Sequence, residues 1–285
     1  MCRGFVVKIQ PGTLYVVATP IGNIDDLSPR ALEVLAKVSL IAAEDTRHAG
    51  QLLTRLGINA RLVSLHEHNE AQRSDELLAL LKAGDSIALV SDAGTPLISD
   101  PGYRLLAAAR AAELPVSPIP GCCAMIAALS VAGLPTDRFF FDGFLPARSA
   151  ARVARLRELA GQVATLVFYE GIHRLPAALR DAIAVFGESR PAAVGRELTK
   201  LHETIYRGTL AQVLAAVLAD PGGERGECTL LVAGAQVALK ADEAELARIV
   251  NILAAELPAA QAASLAARIT GAARRDAYRL AAARP

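Results

Sequence analysis

Between Ile87 and Gly102 a short apolar run, Ile87-Ala-Leu-Val90, breaks into Ser91-Asp92-Ala93-Gly94-Thr95-Pro96 and then Asp100-Pro101-Gly102, before an Ala/Leu-rich helical pattern. A carboxylate beside glycine at the end of a buried strand can hold ligand hydroxyls while backbone amides approach closely. Pro96 and Pro101 fix φ and restrict the residues before them, so the loop is stiff. The composition also suits an ordinary strand-to-helix turn. A second loop of the same kind, Val116-Ser-Pro118-Ile-Pro120-Gly121-Cys122-Cys123-Ala124, favours a site. Two more stretches carry dense charge: Glu44-Asp45-Thr46-Arg47, directly after Leu40-Ile-Ala-Ala43, and His66-Glu67-His68-Asn69-Glu70. A carboxylate or imidazole there can take a proton from a reacting hydroxyl, and an adjacent cation can stabilise the oxyanion. Structural alternatives stay open: Asp45 can cap the following helix, Arg47 can pair with Glu44, and 66–70 can be a polar turn. The position of Glu44, Asp45 and Arg47 at the sheet edge that carries the loops favours function for them. His66 is kept as a further candidate.

Residues of this kind need a rigid frame, and the chain supplies one. Strands are expected at Leu14–Ala18, Val38–Ala43, Arg61–Leu65, Ile87–Val90 and Pro115–Ile119. Helices alternate with them near Ser28–Ala36, from Thr46, at Ala71–Lys82 and at Tyr103–Glu113. Continuous apolar strands alternating with helices imply a parallel sheet covered on both faces. Ser28-Pro29 reads as an N-cap followed by Pro at the first helical position, and Gly57 and Gly84 follow helices. A helix from near Cys122 toward Val131 stops at Ala132-Gly133-Leu-Pro135 and bridges to a second domain. That domain offers strands at Arg138–Gly143, Val163–Tyr169, Ala192–Glu197, Glu203–Arg207 and Cys228–Ala233. Its helices are expected at Ala150–Ala160, at Leu175–Phe186 and after Arg207. Two strands close together within 192–207 imply an antiparallel pair, so this sheet is mixed. Asp220-Pro-Gly-Gly-Glu reads as a turn, and Arg196, Glu197 and Lys200 suit structural ion pairs.

After Gly234 the pattern is helical only: Asp242–Glu256, Ala259–Ile269 and Ala273–Ala283, the last two joined as a helix-turn-helix. From Pro258 onward Asp276 is the one acid against Arg268, Arg274, Arg275, Arg279 and Arg284. A basic last helix is the footprint expected of phosphate contact, although arginines near a C-terminus also complement the helix dipole. The expected division is therefore an α/β domain over 12–122, a second α/β domain over 123–238 and a helical tail over 239–285.

The 285 residues allow about two ordinary domains, and 53% hydrophobic content allows a large core. No apolar run is long enough to span a bilayer and 1–8 lacks the apolar stretch of a secretory signal, so a cytoplasmic location is expected. Cys2, Cys122, Cys123 and Cys228 show no zinc spacing, so no metal is expected. A net charge of +1 gives no global attraction for nucleic acid, and with no Trp and 4% aromatics there are few stacking platforms.

Several stretches together carry a resemblance: Leu14-Tyr-Val-Val-Ala-Thr-Pro20-Ile-Gly22-Asn23, Ala43-Glu44-Asp45-Thr46-Arg47, Leu65-His66-Glu-His68-Asn69-Glu70, Val90-Ser-Asp-Ala-Gly-Thr-Pro96, Asp100-Pro-Gly-Tyr103 and Gly143-Phe-Leu-Pro146. From about Gly12 through the tail the chain resembles the bacterial small-subunit (16S) ribosomal RNA cytidine 2′-O-methyltransferases of the tetrapyrrole methylase superfamily. The resemblance implies two α/β domains with S-adenosylmethionine in the cleft between them, a homodimer, and methyl transfer to a cytidine ribose in ribosomal RNA or the assembled small subunit. It implies a cofactor site drawn from Pro20, Ile21 and Gly22, from Asp92, Gly94 and Thr95, from Gly121 to Ala124 including Cys123, and from Phe168-Tyr169-Glu170, with Tyr169 foremost. No G-x-G-x-x-G precedes these loops, so the dinucleotide fingerprint is absent.

A sulfonium-activated methyl group leaves the protein to align a ribose oxygen and remove its proton, which gives Glu44, Asp45, Arg47 and His66 their candidate roles. His173 and Arg174 are candidates for gripping the RNA backbone, together with Arg268, Arg274, Arg275 and Arg279. Two positions depart from the family pattern: Cys122 stands where a proline is usual, and Asp276 where a neutral amide is usual. A small-molecule methyltransferase of the same architecture and a non-catalytic RNA-binding assembly protein are the alternatives. The first predicts no need of a basic tail, and the second no cofactor affinity.

Overall fold

The computed structural model describes residues 8–223, 226–235 and 243–282. They form two compact units, divided between Ala233 and Gly234. Cys2, Asp242, Ala283 and Arg284 lie outside the described residues.

The first sheet contains β1 (Leu14–Val17), β2 (Leu40–Ala43), β3 (Leu62–Ser64), β4 (Ile87–Val90) and β5 (Val116–Ile119), in the order β3-β2-β4-β1-β5 and parallel throughout. Every residue of β2 and β4 is buried, as the unbroken apolar runs demand of central strands covered on both faces. Successive residues feed opposite cores. Tyr15, Val17, Ile41, Ala43, Ala88 and Val90 point to one face, and Leu14, Leu40, Ala42, Ile87 and Leu89 to the other. The covering helices are α1 (Pro29–Lys37), α2 (Thr46–Arg55), α3 (Glu70–Lys82) and α4 (Tyr103–Ala111).

Local signals explain most boundaries. Ser28 Oγ accepts the Ala31 N–H at 3.1 Å with Pro29 next to it, an N-cap followed by Pro at N1. Val38 does not open a strand, because its N–H closes α1 on the Val34 carbonyl and β2 starts at Leu40. The helix after the second loop, α5 (Ala124–Ala132), begins later than Cys122, since Cys123 is extended at its N-cap. Glu70 caps α4 from outside, with Oε1 accepting N–H groups of Gly102 and Arg104 at 3.0 and 2.9 Å. Short 3₁₀ turns at Ile24–Asp26 and Ile172–Arg174 were not expected from the sequence.

The second sheet is mixed, as expected. Its strands are β6 (Phe139–Phe144), β7 (Thr165–Gly171), β8 (Pro191–Arg196), β9 (Thr204–Thr209) and β10 (Glu227–Val232), ordered β6-β7-β10-β8-β9. Only the β6–β7 pair is parallel; β8 and β9 form the expected antiparallel pair. One face carries a core with α6 (Ser149–Glu158), α7 (Leu175–Phe186) and α8 (Leu210–Ala219). The opposite face, through Val167, Ala193 and Leu231, packs on Ala128, Leu129 and Ala132 of α5 and on Ile21 of the loop after β1.

In the second unit α9 (Glu243–Glu256), α10 (Ala259–Thr270) and α11 (Arg274–Ala282) share a core of Leu246, Val250, Ala263, Ala266, Ala277 and Ala281. Small alanines let these short helices approach closely. Gly271, at φ 72°, ends α10 in the left-handed conformation that turns the chain into α11.

Candidate active site

The connections after β1, β2, β4 and β5 all leave the carboxyl edge of the first sheet, where open α/β sheets bind ligands. They are tied to one another. Thr19 N–H donates to Gly94 O at 2.8 Å and Gly94 N–H to Thr19 O at 3.1 Å. Thr95 Oγ1 donates to Cys122 O at 2.9 Å. Asp45 N–H donates to Asp92 Oδ1 at 3.1 Å, and His48 Nδ1 lies 3.2 Å from Asp92 Oδ2. Gly94 has φ 82°, a conformation that favours glycine, and a Cβ there would press on Ile21 Cγ2 at 3.2 Å. Leu97 and Ser99 also take left-handed φ, 76° and 71°, backbone strain of the sort that persists where surrounding structure over-determines a loop.

These loops wall one side of a cavity of about 420 Å³, and the ends of β6, β7, β8 and β10 wall the other. The size suits a small organic ligand. Of the residues expected at a cofactor, Ile21, Asp92, Gly94, Thr95, Ala124 and Tyr169 line it; Pro20, Gly22, Gly121 and Cys123 do not. Gly22 lies under the Lys200 side chain and Gly121 against Ala18. Cys123 caps α5 beside the Tyr169 hydroxyl, which accepts the Met125 N–H at 3.3 Å. Phe168 does not face the cavity, because strand alternation turns it into the core, fully buried, while Tyr169 points the other way.

Of the proton-transfer candidates only Glu44 lines the cavity. Burial pushes its carboxyl pKa up, helped by the negative charge of Asp92. Arg47 pairs with Asp45 and not with Glu44: Asp45, as N-cap of α2, already points at the Arg47 backbone, and its Oδ2 meets Arg47 Nη2 at 2.5 Å. That pairing holds the Asp45 carboxyl well below the usual carboxylate range, and Arg47 itself is exposed. His66 lies outside the cavity lining in a built turn, its N–H donating to Asn69 Oδ1 at 2.9 Å while Asn69 Nδ2 reaches Ser64. Asn69 and Glu70 of that cluster are therefore structural.

Sequence reasoning passed over Asp100, which lines the cavity half-buried. Desolvation, together with the charges of Glu44 and Asp92, raises its pKa to about 6, even though Ser91 hydrogen-bonds to it. Its place between Pro96 and Gly102 in the stiff loop was the available signal. Gly195, Cys228 and Thr229 also line the cavity. They had no local signal, since only the antiparallel registers Cys228↔Glu170 and Cys228↔Arg196 bring them there. Glu170, likewise at the cavity, is a fully buried side chain whose Oε1 accepts Arg174 Nε at 2.7 Å and the Gly171 N–H at 2.8 Å. Arg174 is thus committed to a buried carboxylate and to Leu145 O at 3.3 Å, while His173 is exposed. Arg196 pairs with Asp220, and Lys200 with Glu197 and Glu227. In the second unit Arg268, Arg274, Arg275 and Arg279 are all exposed, with Arg275 Nε 3.6 Å from Asp276.

Comparison with known proteins agrees with this architecture. The family model of tetrapyrrole (corrin/porphyrin) methylases matches residues 13–214, and that of the RsmI C-terminal HTH domain matches 240–284. Proteins named ribosomal RNA small subunit methyltransferase I are similar along nearly their whole length. That of Pseudomonas aeruginosa is 52% identical over 92% of this chain and 94% of its own, and that of Escherichia coli O157:H7 is 52% identical over 95% and 94%. Among solved structures, a Thermus thermophilus uroporphyrin-III-C-methyltransferase aligns with TM-score 0.52 at 23% identity over 78% of this chain and 94% of its own. A diphthine synthase aligns with TM-score 0.56 at 16% identity over 78% and 90%. These two likenesses bear on the fold. The methylase match from β1 into α8, the helix-turn-helix match over the tail and relatives about half identical over more than nine-tenths of the chain place it in the tetrapyrrole methylase family, among the ribosomal RNA small subunit methyltransferases I.

Proposed function

We propose that this protein transfers the methyl group of S-adenosylmethionine to the ribose 2′-oxygen of a cytidine in small-subunit ribosomal RNA, free or assembled. The observation that carries the reading is the charge of the cavity. Glu44, Asp92, Asp100, Glu170 and Glu227 line it, and no Lys, Arg or His does so among the described residues. Arg174 and Lys200 compensate Glu170 and Glu227 from outside, which leaves Glu44, Asp92 and Asp100 as the local negative field. Such a field suits a ligand with a sulfonium and an ammonium group. It opposes a tetrapyrrole bearing several carboxylates, and so weighs against the small-molecule reading.

Asp92, pinned by the Asp45 N–H and beside His48, is proposed to accept hydroxyl or ammonium hydrogens of the cofactor. Residues 93–95, which line the cavity, and the apolar surfaces of Ile21, Leu198 and Tyr169 would enclose the rest. When bound, the cofactor supplies a methyl group already activated by its sulfonium charge. Asp100 is proposed to accept the ribose proton, with Glu44 next to it in the same field: a carboxylate with pKa near 6 is ionised at neutral pH yet more basic than an ordinary one. Asp45 and Arg47 are assigned to framing this edge, not to proton transfer. The exposed arginines of α10 and α11 are proposed to hold phosphates that the cavity itself rejects. Labour is proposed to divide as cofactor loops in 12–122, a mixed-sheet wall in 123–238 and RNA contact in 239–285, in a homodimer acting in the cytoplasm.

The test is mass mapping of ribose methylation in small-subunit RNA with active protein, without it and with an Asp92→Ala variant. One cytidine 2′-O-methyl group present only with the active protein supports the reading. RNA binding with no methylation and no cofactor affinity would replace it with the non-catalytic alternative.

A further inference from the structure

We propose, on the basis of the RNA reading above, that Phe144 is the platform on which the base of the methylated nucleotide stacks once it has left its own stack. A backbone irregularity places it there. β6 pairs in parallel with β7 as Phe139↔Thr165, Phe140↔Leu166 and Phe141↔Val167, and the register then shifts so that Phe144 meets Tyr169. Asp142 and Gly143 thus oppose Phe168 alone, a bulge, with Gly143 at φ 69°. A bulge next to a site re-aims a side chain. Here it sets the Phe144 ring 5.6 Å from that of Tyr169, tilted by 58°, while Phe141 and Tyr169 make a T-shaped contact at 4.9 Å.

Phe144 lines the cavity and is still 59% exposed, so it stands at the mouth with an uncovered apolar ring. Tyr169 behind it is partly buried and its hydroxyl is occupied by the Met125 N–H, so the stack has a fixed base. The loop bearing Asp100 meets the bulge directly: a Cβ on Gly143 would lie 3.2 Å from Ser99 Oγ. The ring and the proposed proton acceptor therefore belong to one rim.

A ribose oxygen can reach Asp100 only if its nucleotide is drawn out of the RNA stack, which forfeits base–base stacking. An aromatic face at the mouth restores it. The acidic lining keeps phosphates outside while admitting an uncharged base and sugar. Arg148, a few residues beyond β6, is an exposed cation. Stacking is blind to base identity, so Phe144 sets affinity for an unstacked nucleotide and not the choice of cytosine.

The experiment measures methyl transfer to small-subunit RNA by Phe144→Ala, Phe144→Leu and Phe144→Tyr, with cofactor affinity by calorimetry and melting temperature alongside. Phe144→Ala and Phe144→Leu should lower kcat/KM for RNA roughly 10- to 100-fold, and Phe144→Tyr should stay within about threefold of wild type. Cofactor affinity and melting temperature should match wild type in all three. A fluorescent cytosine analogue at the methylated position should be quenched by wild type and not by Phe144→Ala. Wild-type efficiency in Phe144→Leu or Phe144→Ala, in an enzyme that is active on RNA, overturns the platform alone. A wild-type protein that methylates no ribosomal RNA overturns the underlying reading and the platform with it.

Discussion

Asp92, just beyond β4, accepts the backbone N–H of Asp45, just beyond β2, at 3.1 Å. Two neighbouring parallel strands thus fix a carboxylate at the cavity through a main-chain donor, which no substitution at position 45 other than proline removes. Asp92 is more than a third exposed and packs little, so Asp92→Ala should leave the melting temperature nearly unchanged. S-adenosylmethionine affinity should fall roughly 10- to 100-fold, as for the loss of a hydrogen bond involving charge. Titration calorimetry decides, and equal affinity in the two proteins would remove Asp92 from the cofactor site.

Asp100 makes a prediction about pH. Its folded pKa is raised to about 6 from 3.8, so the single-turnover rate should rise through pH 6 and level off above it. Asp100→Asn should abolish that limb and slow transfer while cofactor binding persists. The linkage runs the opposite way to that of a salt-bridged carboxylate. The unfolded chain releases this proton near pH 4 and the folded chain keeps it until about 6, so Asp100 lowers stability as pH rises across that interval. Asp100→Asn should accordingly be the more stable protein at pH 7, which thermal melts at pH 4 and pH 7 would reveal.

Asp45→Ala removes the α2 N-cap and should lower the melting temperature. Arg47→Ala, an exposed partner, should lower it less. Neither should change the single-turnover rate by more than about twofold, well under the effect of removing a group that stabilises the transition state. A large drop in that rate with cofactor affinity intact would return this pair to the chemistry.

Arg174→Ala should destabilise the first unit by about 3 kcal/mol, because it leaves the buried Glu170 carboxylate without its counter-ion. Adding Glu170→Gln in the same chain should recover a good part of the loss. Denaturant unfolding of the single and double variants tests it. If Arg174→Ala melts like wild type and instead weakens RNA binding, Arg174 grips the backbone.

Charge reversal at Arg274 and Arg275 should weaken RNA binding and flatten its salt dependence, by about one unit of log–log slope for each phosphate left without its arginine. Both side chains are exposed, so the helices should remain folded, and cofactor affinity should be unaffected. An unchanged salt slope in a folded variant would make the tail arginines structural.

Elements came readily from sequence because their signals are local. Ser28-Pro29 started α1 where a cap and a fixed φ require it, and the unbroken runs 40–43 and 87–90 are central strands because both of their faces are covered. The loop 91–96 stood out as a candidate because a second loop of the same kind, 116–124, also runs from an apolar strand into a helix. The order β3-β2-β4-β1-β5 was not visible, since parallel strands of similar apolar character carry no label for their neighbours. That order buries Glu44 at the cavity beside Asp92, and burial first, then the charge of Asp92, raises its pKa. The outward turn of Phe144 was likewise decided by strand register and a bulge. Sequence thus fixes which residues can ionise, cap or bend, because those properties are intrinsic or reach only a few positions. Which charges meet, and which carboxylate is desolvated, depends on segments far apart in the chain arriving at one sheet edge, and only tertiary structure decides it.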